Sequence, residues 1–231
     1  MDLQLHERVV IVIGGTGLIG KAVVERLEQE GATVIAASRH PANSHPVNNG
    51  IVIDAGDDRS VTAGVAEVIR RHGRIDGLVV TAAPAAHTLD PSRNSDPDQV
   101  VSAFEAKAMV FLRAARAVIP IMKDAGYGRI VVISGQNAFL TGNITGSVRN
   151  AATILVAENL ADELANTGIR VNAVNPATVT TETGKDVQPG RGGDSSPQQI
   201  ADLVAFLVSP LSAVSGESIA VGHRVLGVTS L

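Results

Sequence analysis

The five aliphatic residues Val9–Ile13 run directly into Gly14-Gly15-Thr16-Gly17-Leu18-Ile19-Gly20 and then into a stretch rich in helix formers. That order constrains the fold more than any other feature of the chain. A strand without polar alternation must be covered on both faces, and a glycine-rich turn between such a strand and a helix is how a parallel βαβ unit begins. The spacing lets Gly14 make the tight turn, Gly17 bring bare backbone up to a pyrophosphate, and Gly20 pack the helix closely on the sheet. Thr16, Leu18 and Ile19 complete the turn. An anionic phosphate is favoured there because the first N–H groups of a helix lack intrahelical acceptors and the helix dipole is positive at that end.

Six more short apolar runs follow: Thr33–Ala37, Ile51–Ile53, Gly77–Val80, Arg129–Ile133, Arg170–Val174 and Ser218–Val221. Between them, Ile19–Gln29, Val61–Arg71, Val100–Lys123, Ala151–Ala165 and Pro197–Val208 place apolar residues at helical spacing. Strands alternating with helix-sized connections predict an α/β fold, a Rossmann-type doubly wound parallel sheet of about seven strands with helices on both faces. The 231 residues contain no linker or repeat, so one domain, residues 1–231, is expected. Two stretches rich in Pro, Gly, Ser and Asp, Ala83–Asp98 and Thr181–Ser196, read as loops edging a ligand crevice.

At the end of the second strand an acidic residue would accept hydrogen bonds from a ribose 2′-hydroxyl and repel a 2′-phosphate. The chain has Ala37-Ser38-Arg39 instead. Arg39 can bind phosphate through its forked guanidinium and Ser38 can add a hydroxyl, so NADP(H) is expected in preference to NAD(H).

Composition removes several alternatives. With no cysteine, thiol nucleophiles, disulfides and cysteine-bound metals are excluded. His40 and His45 lack a third ligand in the pattern, and no metal is expected. A formal charge of -4 with only 2% aromatics gives neither the basic surface nor the stacking platforms of a nucleic-acid binder. No apolar run approaches the roughly 20 residues that span a bilayer. The N-terminal residues carry no signal-like segment, and the expected location is cytoplasmic.

Beyond the glycine turn, the chain carries Ile53-Asp54-Ala55, Arg74-Ile75-Asp76-Gly77-Leu78-Val79, Gly128-Arg129-Ile130-Val131-Val132-Ile133-Ser134 and Gly168-Ile169-Arg170-Val171-Asn172-Ala173-Val174-Asn175-Pro176. With these segments it resembles the short-chain dehydrogenase/reductase family over nearly its whole length. The resemblance implies Asp54 and Ala55 near an adenine, Ala82 and Ala83 beside the cofactor, and Pro176, Val179 and Thr181 near the nicotinamide end. It implies a homodimer or homotetramer packed through Val100–Lys123 and Asn150–Ala165, with Ala103, Ala106, Ala114 and Ala157 allowing close helix approach.

The family's chemistry rests on a tyrosine four residues before a lysine, assisted by a serine and an asparagine. Counting back from Leu160–Leu164 and Gly168, the tyrosine position falls on Gly146 and the lysine position on Asn150. The asparagine position falls on Lys107, and the serine position on Ser134 or, with a one-residue shift, Gly135. The only tyrosine of the chain is Tyr127.

Three readings stay open at this stage. In the first, hydride transfer to or from a small or medium organic substrate survives, with the proton coming from Lys107, His87 or water, and with Ser134, Asn137, Asn143 or Asn150 orienting the substrate. In the second, the chain binds cofactor without turnover, as a sensor or scaffold. In the third, a non-redox dehydration, isomerisation or cyclisation draws on the loop carboxylates Asp90, Asp96, Glu182 or Asp186.

Overall fold

The computed structural model describes residues 2–39, 50–82, 88–184 and 186–228. Its strands are β1 (Val9–Ile13), β2 (Thr33–Ser38), β3 (Ile51–Val52), β4 (Gly77–Val80), β5 (Gly128–Ile133), β6 (Ile169–Pro176) and β7 (Ser218–Val221). They form one sheet in the order β3-β2-β1-β4-β5-β6-β7, and every pairing is parallel. The Rossmann-type architecture expected from the sequence is therefore the one found.

The helices are α1 (Leu18–Gln29), α2 (Asp58–His72), α3 (Pro97–Phe104), α4 (Val110–Ala125), α5 (Ile144–Glu163) and α6 (Pro197–Val208). Alternate residues of each strand serve opposite faces. Ile11, Ile13, Leu78, Val80, Ile130 and Val132 pack beneath α2, α4 and α5. Val10, Val12, Val34, Val79 and Val131 pack beneath α1 and α6. Burial on both faces is why these strands read as continuous apolar runs.

Two elements depart from the sequence expectation in ways that matter for the site. The single helix expected over Val100–Lys123 is interrupted by a π-turn at Glu105–Met109, joining α3 to α4. Such a turn inserts a residue into the hydrogen-bond ladder and re-aims the side chains around it. Helix α5 begins at Ile144, seven residues before the expected Ala151, because the Asn143 side chain accepts a hydrogen bond from the Gly146 N–H at 2.8 Å and caps the end. The first turns of α5 therefore carry Gly146 and Asn150.

The alanine face expected for helix approach between copies is also corrected. Ala103, Ala114 and Ala157 are buried within the chain, and the last two belong to its core. The exposed large apolar side chains of this region are Val101 on α3 and Ile144, Val148 and Leu155 on α5. Ala114 and Ala157 pack in the core shared with the strands, and Ala106 is half-buried.

No helix among the described residues is long and apolar enough to cross a membrane.

Candidate active site

Strand order reverses between β1, which leads through α1 to β2, and β4 on its other side, so a crevice opens at the carboxyl ends of these strands. The glycine turn lies at that edge. The Gly14 N–H donates to the Ala37 carbonyl at 2.8 Å, and Gly14 adopts φ +83°. A Cβ on Gly14 would come within 2.7 Å of the Ala82 nitrogen, and one on Gly20 would overlap the Gly14 carbonyl oxygen. These two glycines are required by the fold itself. Gly17 is different. It is exposed, its φ of -78° suits any residue, and a Cβ there would lie 3.4 Å from the Gly14 oxygen, an ordinary contact.

As N-cap of α1, Gly17 supplies no side-chain acceptor, and the first turn holds no acidic residue. The N–H groups of Leu18, Ile19 and Gly20 find no acceptor among the described residues. This backbone cradle fits the phosphates of a dinucleotide. Thr16 flanks the cradle, and Thr81 braces it by donating from its hydroxyl to the Ile13 and Gly14 carbonyls, each at 3.1 Å.

At the end of β2, Arg39 is exposed and Ser38 half-buried, its hydroxyl without a hydrogen-bond partner among the described residues. Asp54 shapes the turn after β3, accepting from the Gly56 N–H at 3.0 Å, and Ala55 is buried beside it. Ala82 follows β4, whereas Ala83 and His87 lie outside the described residues, as do His40 and His45. Pro176 ends β6, Val179 bridges to Ser195, and Thr181 is exposed.

Two strands further along the same edge, the π-turn, β5 and α5 converge on Lys107. Its side chain is buried at 6% exposure. The amine donates to Asn150 Oδ1 at 2.7 Å and to the Ser134 carbonyl at 3.0 Å. Burial, reinforced by the positive charge of Arg149, brings the Lys107 amine down to about 7. Arg149 is buried as well, which lowers its own pKa. Arg149 was not legible as a site residue in the sequence, because its place on the inner face of α5 follows from the early start of that helix.

The Ser134 hydroxyl donates to the Asn150 carbonyl at 2.9 Å, so Ser134 presents its carbonyl, not its hydroxyl, to Lys107. A Cβ on Gly135 would lie 3.2 Å from Asn150 Nδ2, which places Gly135 against the same side chain. Gly146 sits one turn before Asn150 on α5.

Tyr127 lies elsewhere. It precedes β5, about 20 Å of strand away from Ser134. Its ring is sandwiched between the guanidinium groups of Arg8 and Arg129, 4.6 and 4.4 Å from its centroid. The buried Asp76 completes this amino-edge cluster, accepting from Arg8 at 2.9 Å, from Arg74 at 2.6 and 2.8 Å and from the Val9 N–H at 2.9 Å. The cluster holds the strand starts together.

The loop carboxylates considered for a non-redox reaction serve local caps and ion pairs or face solvent. Asp90 caps a short helical turn at Pro91–Arg93, and Asp96 caps α3 while pairing with Arg93. Glu182 and Asp186 are exposed. Among the described residues no group of three or more His, Cys, Asp or Glu side chains could hold a metal ion.

The family model for short chain dehydrogenase matches residues 8–192. The chain belongs to the short-chain dehydrogenase family. Proteins of this family are oxidoreductases that act on small molecules with NAD(P)(H). Acetoacetyl-CoA reductase of Synechocystis sp. is 29% identical over 234 residues, covering 94% of this chain and 95% of that protein. Dehydrogenase/reductase SDR family member 4 of Oryctolagus cuniculus is 29% identical over 247 residues, covering 94% and 93%. Among solved structures, YwfH, described as an NADPH dependent reductase involved in bacilysin biosynthesis, superposes with a TM-score of 0.79 at 26% identity, covering 94% of this chain and 98% of that one.

Proposed function

We propose that this short-chain dehydrogenase is an NADP(H)-dependent oxidoreductase in which Lys107 replaces a tyrosine as the proton-carrying group. The observation that carries the reading is the buried Lys107 amine, brought to about 7 and held by Asn150 Oδ1 and the Ser134 carbonyl. A group used to exchange a proton near neutral pH needs a pKa near that pH, and an ordinary surface lysine lies several units too high. The positions to which the family's tyrosine and lysine correspond hold Gly146 and Asn150, and neither side chain supplies a proton. When bound, the cofactor supplies or accepts the hydride. Asn150 and Ser134 orient the Lys107 amine, and Lys107 gives its proton to the substrate oxygen or takes it back. His87 stays a second candidate for that proton.

The cofactor choice rests on Arg39 and Ser38, which stand at the end of β2 where an acidic residue would favour the unphosphorylated ribose. NADPH and NADH are titrated calorimetrically into the wild type and the Arg39→Asp variant. Wild type is expected to prefer NADPH. The variant is expected to lose about 10- to 100-fold in NADPH affinity, the worth of charge-assisted hydrogen bonds, while NADH affinity holds or improves. An unchanged preference would overturn the role of Arg39, and failure of both nucleotides to bind would overturn the redox reading.

The exposed stripe Ile144, Val148 and Leu155 on α5, with Val101 beside it, fits a second copy of the chain across a two-fold axis, as dimer or tetramer. Sedimentation should show wild type as an oligomer and Leu155→Glu as a monomer with unchanged circular dichroism. A monomeric wild type, or an oligomer indifferent to the glutamate, rejects this face as the contact.

A further inference from the structure

Two basic side chains of different elements, Lys107 of the π-turn and Arg149 of α5, are buried together at the carboxyl end of β5. The known acceptors of the Lys107 amine are neutral, a main-chain carbonyl and an amide oxygen. Among the described residues, no acidic side chain pairs with it. From α5 the neighbour acting on Lys107 is Arg149, itself positive. On β5 the charged residue is Arg129, at the opposite end of the strand. On the π-turn itself Glu105 points outward to Arg113, 3.1 Å away, and Arg113 also approaches Asp58. Asp96 and Asp98 lie at the start of α3, where Asp96 pairs with Arg93. The short turn Gln136–Phe139 carries no charge.

The carboxyl ends of β1 and β5 are two strand spacings apart, about 10 Å along the sheet edge. A dinucleotide whose phosphates rest on the glycine turn after β1 can therefore direct its reacting end toward β5. The oxidised nicotinamide ring carries one positive charge more than the reduced ring. We infer that the buried Lys107 amine reads this charge difference, so that the site holds NADPH more tightly than NADP⁺ and the enzyme is set to work as a reductase. The inference rests on the nucleotide reading proposed above and adds to it the direction of the reaction.

It also gives the discrimination a pH dependence. With Lys107 near 7, the amine is charged and repels the oxidised ring below neutrality. Above neutrality it is neutral and that repulsion is lost. NADP⁺ binding therefore drives off a proton from Lys107 and strengthens relative to NADPH binding as pH rises, because the uncharged reduced ring does not repel the amine. The 2′-phosphate is common to both nucleotides, so its own titration cancels in the ratio.

The experiment is calorimetric titration of the full chain with NADPH and with NADP⁺ at ~pH 6 and ~pH 8.5, in buffers of differing ionisation enthalpy. At the lower pH, NADPH is expected to bind about tenfold or more tightly than NADP⁺. The ratio should shrink severalfold at the higher pH, with more proton release on binding NADP⁺ than on binding NADPH. In Lys107→Met and Lys107→Gln both the pH dependence of the ratio and the difference in proton release should vanish. A wild-type ratio that does not move with pH overturns the inference by itself, whether or not the variants fold. A pH-dependent ratio that survives both substitutions removes Lys107 from it. If neither nucleotide binds at either pH, the cofactor reading falls and takes this inference with it, whereas binding without discrimination defeats the inference alone.

Discussion

Lys107→Met is expected to abolish most turnover while leaving NADPH affinity near wild type. Removing a positioned acid or base costs about 10²- to 10⁴-fold in rate, and the methionine fills a similar volume without any proton to transfer. Because the acid form of Lys107 is required for reduction, wild-type kcat/KM for carbonyl reduction should hold below pH 7 and fall above it, following the amine brought to about 7. The variant's residual rate should lose that inflection. Full activity in Lys107→Met, or an unshifted pH profile, assigns the proton to another group such as His87. The same substitution has a signature in stability. The folded chain depresses the Lys107 pKa below its unfolded value, so between the two values the unfolded chain holds a proton that the folded chain lacks. Wild-type stability relative to Lys107→Met should therefore rise as pH increases from about 7 toward 10. A thermal melt at several pH values tests this with no substrate at all.

The strands were legible because their burial on both faces leaves a mark in local sequence, as in Val9–Ile13 and Gly77–Val80. The glycine turn was legible for a related reason: Gly14 and Gly20 answer steric demands imposed by residues close by in the chain. The centre of the site could not be read in the same way. Lys107 meets Ser134 and Asn150 across 27 and 43 residues of chain, and the π-turn that aims it has no composition of its own. Its burial is a product of how the sheet brings β5 and α5 together. The early start of α5 was hidden because Ile144, Thr145 and Gly146 are weak helix formers, and the helix begins there through the Asn143 cap. Arg149 and Asn150 take their positions from that start. Ser134 is the reverse case, a residue singled out in the sequence whose hydroxyl is turned away into α5 and whose carbonyl accepts from Lys107.

The two outer glycines of the turn and the middle one should respond to alanine in opposite ways. At Gly20 a methyl group would overlap the Gly14 carbonyl oxygen, and backbone must move to admit it. Overpacking of this kind costs about 1–3 kcal/mol, which for a chain of this size lowers Tm by roughly 2–12 °C. Nucleotide affinity falls along with it, because the helix N-terminus is displaced. At Gly17 the same methyl meets only an ordinary 3.4 Å contact, and its φ of -78° suits alanine, so the fold should lose no more than about 1 kcal/mol. What the methyl does obstruct is the approach of a pyrophosphate to the exposed backbone of the turn. Gly17→Ala should therefore melt close to wild type yet bind NADPH at least about tenfold more weakly, the loss read by calorimetry. The pair separates architecture from function within one turn. Wild-type NADPH affinity in Gly17→Ala would mean that no phosphate lies against that backbone. An unchanged melting temperature in Gly20→Ala would contradict the close approach of α1 to Gly14 on which the cradle depends.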